Sequence, residues 1–131
     1  MRTHAFTLVA AVLLLAGCAA EPESTPTPTS VALGRASTIE QVRDAFIHAG
    51  GVCNWEQTDQ VIAATASGEC SDSTVIMLFD DRADRETVVS GMQSLRMEDR
   101  RLTLLVGENW VINSAEAEDM QTNLGGEWVM E

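Results

Sequence analysis

The chain has 131 residues, with 20 aspartates and glutamates against eight basic residues, all of them arginine, for a formal net charge of −12. That length suits one small domain plus some additional chain. So negative a surface repels the phosphate backbone of nucleic acids and the headgroups of anionic lipids, which excludes nucleic-acid binding and polybasic attraction to a membrane.

The N-terminus carries one positive charge, Arg2, followed by an unbroken apolar stretch from Leu8 to Gly17. The stretch is too short for a stable bilayer-spanning helix and ends in small residues, the profile of a secretory signal peptide over residues 1–17. It closes on Leu15-Ala16-Gly17-Cys18. This tetrad resembles the lipobox of bacterial lipoproteins, in which the cysteine thiol receives a diacylglyceryl group and the chain is cut just before it. The resemblance implies that Cys18 is lipidated and holds the protein on the outer face of the cell membrane. One acyl chain gives only marginal, reversible binding, whereas a diacylglyceryl cysteine brings two chains in one residue. An ordinary secretory signal cut at Ala-x-Ala spacing is the alternative. The absence of lysine and tyrosine, with abundant alanine and valine, reads as the coding bias of a GC-rich genome and suggests an actinobacterial or similar source.

Residues 18–37 read as the lipidated cysteine and a linker. Glu21 to Ser30 concentrates proline, serine and threonine and has nothing to bury, so it is expected to be disordered or extended as polyproline II. Thr25, Thr27 and Thr29, each beside a proline, are either O-glycosylation acceptors or part of a plain spacer.

A globular domain is expected over 38–131. Ser37-Thr38-Ile39-Glu40 has the capping-box pattern, Ile39, Val42, Phe46 and Ala49 share a helical face, and Gly50-Gly51 stops the helix at 38–49. Two short strands are expected at 52–57 and 60–66, joined by a turn at Thr58-Asp59-Gln60, with Ser67 to Ser73 as loop around Cys70. The β-branched and apolar run Thr74 to Phe79 is the best central strand. Asp80 to Asp84 opens a second helix with acids at its N-terminus, and Val88, Met92 and Leu95 form its buried stripe. Leu102–Val106 and Trp110–Asn113 form a hairpin across Gly107-Glu108-Asn109, with Gly107 free to take positive φ. Asn113 or Ser114 caps a third helix whose apolar face is Ala117, Met120 and Leu124; Gly125-Gly126 ends it, and Glu127 to Met130 is a possible edge strand. The order α-β-β-β-α-β-β-α, with or without a closing strand, predicts an α+β fold: a small antiparallel sheet packed by about three helices.

With Cys18 lipidated, Cys53 and Cys70 make an even pair in an exported, oxidising setting, where a disulfide persists. Two buried thiols are the alternative. A zinc site is disfavoured, because two thiols cannot fill a tetrahedral shell and no nearby histidine completes it. His48 is the only histidine beyond the signal and lies beside the apolar stripe of its helix. Asp80, Asp81, Asp84 and Glu86 lack the alternating ligands and turn glycine of a calcium loop, and helix capping accounts for them. No catalytic constellation, cofactor motif or metal site is read. Trp55, Trp110 and Trp128 are either core residues or aromatic anchors for a partner, tryptophan being enriched at binding hot spots.

The element order is similar to that of secretion-chaperone-like α+β folds. The layout from 35 to 128 resembles small actinobacterial lipoproteins, in which a Pro/Thr tether precedes a domain with two cysteines, a Leu-Val-Gly-x-Asn-Trp hairpin (Leu105 to Trp110) and a late Leu-Gly-Gly (Leu124 to Gly126). That resemblance brings no catalytic residues with it. The reading is a non-enzymatic binding module of the cell envelope, facing an envelope protein or wall component. A carboxylate-dependent wall hydrolase, a small-ligand carrier and a prophage superinfection-exclusion lipoprotein are the alternatives.

Overall fold

The structure, a computed structural model, describes residues 32–71, 73–95 and 102–130. The segment expected to be a signal peptide, Cys18 and the proline-rich stretch lie outside the described residues. Three helices, α1 (Ile39–His48), α2 (Arg82–Ser94) and α3 (Ala117–Leu124), pack on six strands, β1 (Trp55–Gln57), β2 (Ala66–Cys70), β3 (Thr74–Leu78), β4 (Thr103–Val106), β5 (Trp110–Asn113) and β6 (Glu127–Met130). The sheet is antiparallel throughout, in the order β1-β2-β3-β5-β4-β6. This is the α+β class and element order that the sequence predicts, closed by the edge strand β6.

Period-two alternation divides the apolar side chains between two faces. Ile76, Leu78, Leu105, Trp110 and Ile112 meet Ile39, Val42 and Phe46 of α1 and Ala117, Met120 and Leu124 of α3. Met77, Phe79, Leu104 and Val111 point the other way, toward Val88, Val89 and Met92 of α2. Both faces of the central strands are therefore covered, which is why β3 reads as a continuous apolar run rather than an alternating one. No residue of α2 is fully buried, and Leu95, expected in its stripe, is 69% exposed just beyond the last helical residue.

Local signals act one step away from where the sequence suggests. The first helix is capped by Thr38, whose Oγ1 accepts from the Gln41 N–H, while Gln41 Oε1 accepts from the Ser37 N–H. The cap is thus Thr38 rather than Ser37, and the side chain that reaches back is Gln41 rather than Glu40, its partner being the Ser37 N–H. Ahead of α3, Ser114 Oγ accepts the Glu116 N–H and Ser114 O accepts the Ala117 N–H, so Ser114 closes a turn leading into the helix rather than capping it directly.

Residues 60–65 of the strand expected at 60–66 are a loop, and 67–70, expected as loop, belong to β2, which begins at Ala66. The physical reason is Trp55. A Cβ on Gly68 would lie 2.4 Å from its indole, so a tryptophan from the neighbouring strand supplies apolar cover to small residues that carry little of their own. Asp59, at φ +49°, turns the chain, and its carboxylate accepts the Ser67 N–H.

The expected hairpin forms at β4–β5, but Gly107 is not among the residues with positive φ. A Cβ there would stand 1.9 Å from the Trp110 indole, which lies directly on the Gly107 backbone. Gly107→Ala is therefore expected to destabilise the domain by roughly 2 kcal/mol through overpacking against a ring with nowhere to go. Urea denaturation of the two proteins measures this, and an unchanged midpoint would contradict it.

The linker does not run to Ser37. Leu33 packs against the core, Ala36 is buried, and the Leu33 N–H donates to Leu124 O. Trp110 Nε1 donates to Gly34 O, and Arg35 Nη2 to Asp80 O. Asn109, 4% exposed, accepts the Ala36 N–H through Oδ1 and donates through Nδ2 to Ala36 O and Phe79 O. The domain thus begins by Ala32, with its entering strap bound to the β4–β5 turn and the end of α3. Arg85 ties α2 to the same turn, its Nη1 donating to the Gly107 and Glu108 carbonyls.

Candidate functional site

The three tryptophans have separate fates. Trp110 is 0% exposed, so it is a core residue and is withdrawn as a partner contact. It is buried because it sits at the start of a central strand under the entering strap, with its one polar atom satisfied by Gly34. Trp55 and Trp128 are half-buried and stand on β1 and β6. Those strands are the two edges of the sheet, about 24 Å apart over five inter-strand spacings, so the rings do not form one patch. Trp128 packs beside the first core cluster, and its enclosed Nε1 has no hydrogen-bond acceptor among the described residues.

The β1 edge is the most constructed part of the surface. Cys53 and Cys70 have their sulfurs 2.05 Å apart, at disulfide distance, which joins the α1–β1 connection to the end of β2. Trp55 is paired across the strands with Cys70. The Arg43 guanidinium of α1 stacks 5.8 Å from the centroid of the Trp55 ring and is paired with Asp44. On the opposite face Glu56 stands directly across from Glu69. Like charges in that position repel and weaken a strand pair. Sequence reasoning missed this juxtaposition, because it placed Glu69 in a loop. The only signal was an alternation too faint to read, since Ala66, Gly68 and Cys70 are all small.

Charge is unbalanced beyond this pair. Each arginine among the described residues is committed within the fold: Arg35 to the Asp80 carbonyl, Arg43 to Asp44, Arg82 to Glu86, and Arg85 to the β4–β5 turn. Asp81 caps α2 by accepting the Ala83 N–H. The Glu40 carboxyl is held below the usual carboxylate range, first by its own backbone N–H and then by the Thr38 hydroxyl. These are structural uses of charge.

His48 is exposed, its Nδ1 2.7 Å from the backbone carbonyl oxygen of Asp44 one helical turn back. Among the described residues no three histidine, cysteine, aspartate or glutamate side chains converge as metal ligands would. No helix among them is long and apolar enough to cross a membrane. Comparison of the chain with protein-family models, with curated proteins and with solved structures found no match.

Proposed function

We propose that this protein is a lipid-anchored interaction module on the outer face of a bacterial cell membrane, non-enzymatic and held there through Cys18. The observation that carries the reading is Leu15-Ala16-Gly17-Cys18 at the end of the Leu8–Gly17 apolar stretch. Anchoring by lipid suits a domain whose own charge repels anionic headgroups. The chain from Cys18 to Ala32 spans at most about 50 Å fully extended, so the domain works close to the bilayer. The interaction role is supported by the two half-buried edge tryptophans and by the acidic surface, both available to an envelope protein or wall component.

Metabolic labelling with an alkyne fatty acid, followed by membrane fractionation, tests the anchor. The native protein is expected to take up label and to sediment with membranes. Cys18→Ser is expected to lose essentially all label and to be released from membranes or to accumulate uncut. A serine variant that stays equally bound to membranes, or a native protein that never takes up label, would contradict the proposal.

A further inference from the structure

We infer, resting on the interaction-module reading above, that the β1 edge is a strand-addition site for a cationic partner segment whose residues alternate between basic and apolar side chains. Four observations converge there. The first is open hydrogen-bonding capacity. The Ser71 N–H donates to Asn54 O and the Thr58 N–H to Ser67 O, which sets the phase of the β1–β2 ladder. Alternation in an antiparallel pair then turns the N–H and C=O groups of Trp55 and Gln57 outward, and no described residue pairs with them.

The second is rigidity. An edge strand of three residues would ordinarily fray, but this one begins two residues after Cys53, which is bridged to Cys70, and its Trp55 ring is held between Gly68 and Arg43. A pre-ordered edge spares a partner the entropy of ordering it.

The third is charge. Glu56 and Glu69 stand opposite each other on one face, and Arg43, which lies with Trp55 on the other, is engaged with Asp44 and the Trp55 ring. A lysine or arginine on an added strand beside Glu56 would relieve their repulsion. The fourth is the apolar character next to Trp55. Val52, 75% exposed, lies three residues before Trp55 in the connection that leads into β1. A strand carrying basic side chains on one face and apolar ones on the other therefore matches both sides of β1 at period two. Pairing of β1 with β1 of a second copy in the register centred on Glu56 would bring this carboxylate beside its counterpart, with Glu69 one strand behind, so the same charges oppose self-association. The other edge, β6, offers no such pair, because Glu127 faces Val106.

The test is an NMR titration of the ¹⁵N-labelled full-length protein with a capped peptide of four Lys-Val repeats, beside one of four Glu-Val repeats. The Lys-Val peptide is expected to shift the Trp55 and Gln57 amides, to slow their hydrogen exchange, and to bind more weakly as salt is raised. The double variant Glu56→Gln/Glu69→Gln is expected to bind about tenfold more weakly while unfolding at a higher temperature than the native protein. That combination separates a binding role from a structural one, because removing the repulsion helps the fold. Four outcomes would overturn the inference: unshifted amides at 55–57, equal binding of the Glu-Val peptide, native affinity in the double variant, or protection appearing at Glu127–Met130 instead. Lipid is not needed for this binding, so a failed titration and a failed labelling experiment point to different errors.

Discussion

Asn109→Ala is expected to lower the stability of the domain by about 4 kcal/mol, more than any other single substitution proposed for this protein. The side chain is almost wholly enclosed and makes three hydrogen bonds. Its Oδ1 accepts from the Ala36 N–H at 2.8 Å, and its Nδ2 donates to Ala36 O at 2.8 Å and to Phe79 O at 3.2 Å. Alanine leaves one buried N–H and two buried carbonyls with less than they had, and each orphaned group costs about 1–3 kcal/mol. Urea denaturation should show the midpoint falling with little change in slope. Hydrogen exchange should show faster exchange at the Ala36 and Leu33 amides than in the rest of the first core cluster. A loss below about 1 kcal/mol would mean that water or a shifted strap satisfies the same groups. The consequence for function is specific. On the proposed lipid-anchored reading, releasing residues 32–36 would lengthen the chain between Cys18 and the domain and free it from the β4–β5 turn.

Breaking the Cys53–Cys70 link with a double alanine variant is expected to remove about 3 kcal/mol and to lower the melting temperature by roughly 15 °C. The bridged residues are 17 apart in sequence, and the main effect is the freedom returned to the unfolded chain. Alanine is the right replacement at Cys70, which is buried. Because the link fastens the connection leading into β1, the Trp55 region should loosen before the rest of the sheet, visible as loss of amide protection at 55–57. Weaker binding of the Lys-Val peptide should accompany it. Equal melting temperatures for oxidised protein, reduced protein and the variant would contradict both expectations.

The helices and the central strands were legible because their signals are local and redundant. In α1 the apolar spacing Ile39, Val42, Phe46 and a polar cap agree; in β3 the run Thr74–Leu78 is β-branched and apolar throughout. The β4–β5 hairpin was legible as two runs separated by a glycine-containing turn. Where the structure departs from these expectations, the deciding contact is one that the local pattern does not display. Gly68 belongs to a strand because a tryptophan 13 residues earlier covers it. Leu95 falls outside the buried stripe because α2 ends at Ser94. Gly107 is glycine for want of room under Trp110 rather than for its backbone angle. The candidate site was the least legible part, since Glu56 and Glu69 become neighbours only once β1 and β2 are paired in register.

Sequence by itself determined the class and order of the elements, the acidic character of the surface and the expectation of a lipid at Cys18, because each depends on composition, on short-range periodicity or on a contiguous motif. Tertiary structure alone decided where the domain begins, which tryptophan lies in the core and which carboxylates face each other. Those outcomes depend on groups that meet only after the chain has closed on itself: Ala36 with Asn109, Gly34 with Trp110, and Glu56 with Glu69.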